Sequence, residues 1–101
     1  MADFLVVTIG ERLMVENITY KLEEDVRGGR CPLPMLRAKR ALSKVEPGEV
    51  VLVVSTDPSS HDDFLAMLKH LPHSLKRYAE EKCSIEHYDK EFHFYIEKGA
   101  E

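Results

Sequence analysis

Cysteine is scarce in this chain of 101 residues: there are two, Cys31 and Cys83, far apart and in no CxxC pair. That excludes a disulfide framework and a thioredoxin-type dithiol, and in a reducing compartment both are expected as free thiols. Tryptophan is absent. Long apolar runs are missing too. FLVVTI (residues 4–9) falls far short of the roughly 20 residues a membrane-spanning helix needs, and no basic start with an apolar core marks a signal peptide. A cytoplasmic location with no membrane contact is expected. Positive charge is also in deficit, with 14 Lys+Arg against 18 Asp+Glu and a net charge of −4. That speaks against a dedicated nucleic-acid or anionic-membrane binder. There are no repeats, no low-complexity stretches and no linker.

What remains has the length of one domain, able to bury a core without staples. FLVVTI reads as a strand, GER (10–12) as a turn, and LMVENITYKLEE (13–24) as one or two strands. The first twenty residues are thus expected to form an extra strand or hairpin. VRGGR is a loop. A helix is predicted from Pro32 to about Val45, with Met35, Ala38, Ala41, Leu42 and Val45 on one side and Arg37, Arg40 and Lys44 on the other. EPGE (46–49) is a turn and VVLVVS (50–55) a covered strand. A second helix carries Phe64, Met67, Leu68 and Leu71, with Ser59, Ser60 or Asp62 as its cap, and stops at Pro72. Leu75, Tyr78 and Ala79 share the face of a second short helix, expected at about 73–82. SIEHY (84–88) and EFHFYIEK (91–98) read as two strands joined at Asp89-Lys90, with Phe92, Phe94 and Ile96 inward. The order is β-α-β-α-β-β. The expected fold is α+β, a two-layer sandwich with the helices on one face of a four-stranded mixed sheet.

RGGRCPLP (27–34) is the stretch that carries chemistry. Pro32 suits the first helical position, where a missing N–H costs nothing. That places Cys31 at the N-cap, facing the free N–H groups and the positive end of the helix dipole, worth about 0.3–1 kcal/mol. Arg27 and Arg30 add positive potential, so the thiolate is expected to be favoured. Gly28 and Gly29 permit positive φ and leave little bulk beside the sulfur. Pro34 stiffens the first turn. Against this stands the ordinary behaviour of cysteine as a small buried hydrophobe.

Asp25-Val26-Arg27-Gly28-Gly29-Arg30-Cys31-Pro32-Leu33-Pro34 resembles the D-x-R-G-x-x-C-P-x-P signature of the TusA/SirA-like sulfur-carrier family. The basic helix, the apolar strand and the following Asp57-Pro58 agree with it, over about residues 20–98, which leaves 1–19 as an extension to a single domain spanning 1–101. Between Pro58 and Ile85 two alignments stay open: either SSHDDFLAMLKHLP or SLKRYAEEK is the family's second helix.

The resemblance implies a small sulfurtransferase. Cys31 would accept sulfane sulfur as a persulfide from a donor protein, a cysteine desulfurase or a rhodanese. It would pass the outer sulfur to an acceptor protein, in tRNA thiolation, sulfur metabolism or cofactor assembly. No cofactor is implied. A carrier needs one thiol, since a second nearby would discharge the persulfide as a disulfide. Arg27 has two roles open, stabilising the sulfur anion or pairing with Asp25 to lock the loop, and Asp25 is equally open as a plain turn residue. Gly28, Pro32 and Pro34 shape the mount, and Asp57-Pro58 reads as a structural turn. Arg37, Arg40 and Lys44 are either a docking stripe for an acidic partner or a solvated face. Cys83, beside Glu80 and Glu81, reads as structural. His61, Asp62, Asp63, His70 and His73 cluster, but Pro72 interrupts them without ligand spacing, so no metal is expected. The rival readings are a regulatory or binding module of the same fold and a redox sensor oxidised at Cys31.

Overall fold

The computed structural model describes residues 5–7, 14–16 and 18–100. Near the start, β1 (Leu5–Val7) pairs antiparallel with β2 (Met14–Glu16), Val6 opposite Val15, as a two-stranded sheet of its own. Residues 1–4, 8–13 and 17 of the expected hairpin lie outside the described residues, and 18–20 are irregular.

The main sheet has four strands in the order β3-β4-β6-β5. β3 (Leu22–Asp25) runs parallel to β4 (Val50–Ser55), and the connection between them carries α1 (Leu33–Leu42). α2 (Ser60–Leu68) follows β4, and β5 (Ser74–Lys82) and β6 (Lys90–Glu97) close the chain as an antiparallel pair, with β6 against β4. The result is an α+β fold in the order β-α-β-α-β-β, with a mixed sheet.

The sequence dictates the layers. β4 is almost wholly apolar because it lies in the sheet interior: Val51, Leu52, Val53 and Val54 are all buried. α1 buries Pro34, Ala38, Ala41 and Leu42, a stripe spaced four, three and one along the helix, which is one face at 3.6 residues per turn. α2 contributes Phe64, fully buried, its ring 4.4 Å from Phe94 of β6 in an edge-on arrangement. Phe94 and Ile96 come inward from β6, as the alternation predicts. The turn at 46–49 has Gly48 at φ +93°, a conformation only glycine adopts at no cost. Lys98 closes over that turn, its Nζ donating to the Val45 carbonyl at 2.9 Å.

Two expectations fail in the last third. Residues 73–82 are not a helix but the edge strand β5, and 84–88 is not a strand but a turn region with His87 at φ +80°. The cause of the first is visible in the register. Leu75 faces Ile96 and Tyr78 faces Phe94, with a shift between Leu75 and Arg77. The irregularity puts residues three apart on one face, which in sequence imitates helical spacing. The same result resolves the alignment: the helix after Pro58 is the one within SSHDDFLAMLKHLP. Among the described residues, no helix is long and apolar enough to cross a membrane.

Candidate functional site

The loop from Val26 to Pro32 leaves the end of β3 and is pinned from three sides. Gly28, at φ +90°, donates its N–H to Thr56 Oγ1 at 2.9 Å. Gly29 donates to the Val26 carbonyl at 3.0 Å. Cys31 donates its own N–H to Asp57 Oδ2 at 2.7 Å. Thr56 and Asp57 follow β4 directly, so the parallel pairing of β3 with β4 brings both loops together at one end of the sheet. A buried Ser55 Oγ–Ser60 Oγ hydrogen bond of 2.7 Å ties that end of β4 to the start of α2.

Arg27 is engaged by two carboxylates. Its backbone N–H, Nε and Nη2 donate to Asp25 at 3.1, 2.9 and 2.8 Å, and its Nη1 reaches Glu91 Oε1 on β6 at 3.1 Å. Glu91 Oε2 in turn lies 2.7 Å from His93 Nε2. Asp25 is held below the usual carboxylate range, first by the Arg27 side chain. Arg27 is pushed up, first by its hydrogen bond to Asp25. Burial pushes Glu91 upward, but the bonds from His93 and Arg27 outweigh it and leave its pKa lowered. The Arg27–Asp25 pairing that one of the two roles open to Arg27 calls for is present.

Cys31 itself is exposed, and Cys83 is buried. Helix α1 begins one residue later than expected: Pro32 is the N-cap, joined to Cys31 by a cis peptide, and Pro34 lies buried in the first turn. Cys31 therefore precedes the cap rather than forming it. The expected bias toward thiolate is also reversed. The Cys31 pKa is raised, first by a hydrogen bond to the Asp63 side chain, then by desolvation and by the charges of Asp63 and Asp57. A carboxylate that accepts from the S–H stabilises the neutral form, and nearby negative charge opposes the anion. Asp63 stands in the first turn of α2. Nothing in the signature around Cys31 points to it. Its only sign in the sequence is an acidic residue four positions after Ser59, at the start of a predicted helix.

Asp57 is more than a turn residue. Its Oδ1 accepts from Ser59 N–H and Ser59 Oγ, both at 3.0 Å, while Oδ2 holds Cys31. Burial pushes its pKa up, but these bonds prevail and hold it below the usual range.

The basic stripe divides. Arg37 is paired with Glu24 of β3, whereas Arg40 and Lys44 are exposed beside it. Around the thiol loop the surface is apolar in places: Leu33 is 41% and Leu36 57% exposed. A cleft of about 350 Å³, lined by Thr56, Pro58, Tyr88, Asp89, Lys90 and Phe92, opens beside the Thr56 anchor. Of the clustered histidines, His73 accepts the Gly99 N–H at 3.0 Å.

Fold and site define a small α+β protein that presents one exposed thiol from a proline-stiffened loop hung between two strand ends. The family model described as sulfurtransferase TusA matches residues 23–98, a span that starts within β3. The sulfur carrier protein TusA of Allochromatium vinosum is 41% identical over 80 residues, 79% of this chain and 96% of that protein. A candidate sulfur carrier of Neisseria meningitidis serogroup A is 45% identical over 51 residues, 50% of this chain and 69% of that one. Another from Bacillus subtilis is 31% identical over 75 residues, 74% of this chain and 91% of the relative. The chain belongs to the TusA sulfurtransferase family.

Proposed function

We propose that the protein is a persulfide carrier. The Cys31 sulfur attacks the outer sulfur of a donor's persulfide. A new S–S bond forms as the donor's bond breaks, and the donor cysteine leaves with the electron pair. Cys31 then bears the sulfane sulfur, until an acceptor cysteine attacks it and Cys31 leaves as the thiol or thiolate. The donor is a protein of the cysteine desulfurase or rhodanese kind, and the acceptor is the next cysteine in a relay. Transfer of sulfur between two such bonds needs no oxidant and no bound cofactor.

The observation that carries this reading is the isolation of an exposed Cys31, while Cys83 is buried and unable to resolve a persulfide. Asp25, Arg27, Gly28, Pro32 and Pro34 act on the loop's shape. Arg40 and Lys44, with Leu33 and Leu36 nearer the sulfur, suit docking of an acidic, partly apolar partner face. A peroxide sensor is disfavoured, because sensor cysteines are acidic and the Cys31 thiol is pushed the other way.

Intact mass after incubation with a cysteine desulfurase and cysteine tests the reading. Wild type and Cys83→Ser are expected to gain one sulfur, reversibly under dithiothreitol, and Cys31→Ser none. Equal loading of the two variants would sink it. A blank with this donor and with rhodanese plus thiosulfate would turn the assignment toward a regulatory module.

A further inference from the structure

Glu91 stands where its own sheet gives a carboxylate little support. It is the second residue of β6, its side chain is only 14% exposed, and the register sets it directly opposite Glu81 of β5. Like charges facing each other across a strand pair oppose the pairing, and burial opposes the charge itself. What Glu91 gains lies on the other side, toward the thiol loop. Its Oε1 accepts from Arg27 Nη1 at 3.1 Å, and its Oε2 lies 2.7 Å from His93 Nε2. Asp25, Val54 and His93 share one rung of the sheet, and Glu91 is two residues from His93. These groups therefore gather on the face away from Phe94 and the helices. The ties on Arg27 are unequal. Those to Asp25 join residues two apart on the chain, whereas the bond to Glu91 reaches past β4 to a strand 64 positions away. Thr56 and Asp57 hold the loop at Gly28 and Cys31 from the end of β4, and Glu91 holds it from β6.

We propose that Glu91, braced by His93, is a positioning residue for sulfur transfer: through Arg27 it fixes the loop in the conformation from which Cys31 meets a partner's cysteine. This rests on the persulfide reading. Attack on a donor persulfide needs the Cys31 sulfur, the outer sulfur and the departing donor sulfur in line. Glu91 takes no part in the bond that forms or the one that breaks. It acts before them, on the share of chains whose loop is already in place when a partner docks. When only a fraction is in place, apparent affinity falls by that fraction, while the step after docking keeps its rate. Loss of Glu91 is therefore read in KM rather than in kcat.

The test compares wild type, Glu91→Ala, the isosteric Glu91→Gln, Arg27→Ala and the Arg27→Ala/Glu91→Ala double variant, with circular dichroism as the check on folding. In the first arm, initial rates of loading by a cysteine desulfurase with cysteine are measured at varied carrier concentration. Glu91→Ala is expected to raise KM several-fold at unchanged kcat, and Glu91→Gln to raise it less. The double variant should be no worse than Arg27→Ala alone, because Glu91 acts through Arg27. In the second arm, Cys31 is alkylated with iodoacetamide across pH in a Cys83→Ser background. This small reagent needs no docking geometry, so Glu91→Ala should keep the midpoint of its parent. A KM that does not move overturns the proposal, and so does a double variant in which the two losses add. A shifted alkylation midpoint overturns it as well, since Arg27 would then serve the charge on the sulfur rather than the shape of the loop. If wild type loads neither from this donor nor from rhodanese with thiosulfate, the carrier reading fails and takes the role in transfer with it. Amide hydrogen exchange at Gly28 and Cys31, faster in Glu91→Ala or not, then still decides whether Glu91 holds the loop.

Discussion

The two helices of this fold begin at the same end of the sheet in opposite ways. α1 opens on Pro32, with no side-chain cap, no acidic residue in its first turn and a proline inside it. α2 opens on Ser59 with Asp62 and Asp63 in the first turn, the usual complement to a helix dipole. Cys31 sits just before α1, but its pKa is raised first by Asp63 of α2. The comparison shows that a helix start supplies stiffness and direction, whereas the charge seen by a side chain is set by whichever element packs beside it. Here the Cys31 pKa is raised, first by the Asp63 side chain, despite the helix start beside it.

The comparison breaks most severely if α2 is lifted from the sheet. Phe64→Ala empties the contact with Phe94, and a loss of about 3–5 kcal/mol is expected in urea unfolding. A loss under about 1 kcal/mol would mean that the helix is held by something other than this ring. Acid comes next, acting on three carboxylates together. Asp25, Asp57 and Glu91 are all lowered in the folded state. Their contribution is present above the unfolded carboxylate pKa of about 4 and is lost as pH falls through the lower folded values. The thermal midpoint should therefore drop between about pH 5 and pH 3, and a flat profile there would contradict the bonding described. For Cys31 the sign is opposite, its contribution being present at low pH and lost as pH rises through its raised folded value.

Smaller changes sharpen the contrast between loop and helix. Asp57→Ala removes the acceptor shared by Cys31 and Ser59, and should cost about 1–2 kcal/mol. Faster hydrogen exchange at the Cys31 amide would localise that loss to the loop. Gly28→Ala forces a side chain onto φ +90° and should cost about 1 kcal/mol, readable as a shift in the urea midpoint. The least effect on stability is expected from Arg40→Ala and Lys44→Ala, within about 0.5 kcal/mol. If these residues dock the donor, the double variant should load sulfur more slowly at low salt and converge with wild type at high salt.

Much of this fold is legible in short stretches of residues. The apolar run of β4, the one-sided stripe of α1 and the glycine-cysteine-proline loop each follow a rule that acts over a few positions. The links that cross the chain are not legible in that way. Arg27 and Glu91 meet from 64 positions apart in sequence, and Gly28 to Thr56 depends on a parallel pairing whose register no local pattern announces. The reversal at Cys31 belongs here too, since Asp63 becomes its neighbour only after β3 and β4 align. The stretch 73–82 misleads for a different reason. Lys, Arg, Glu and Ala are good helix formers, and an irregular register places Leu75 and Tyr78 on one face at helical spacing. Tertiary pairing with β6 overrides a weak local preference.

That same strand has a consequence for how copies of the protein behave toward one another. β5 closes one rim of the sheet and is nine residues long, and among the described residues no strand pairs with its outer side, which leaves a row of backbone donors and acceptors there. Such a rim invites stacking between molecules. Lys76, Arg77, Glu80, Glu81 and Lys82 crowd it with charge of both signs, and the irregularity near Leu75 spoils its flatness. The residues that make β5 look like a helix are thus the ones that keep neighbouring molecules from zipping together into aggregates.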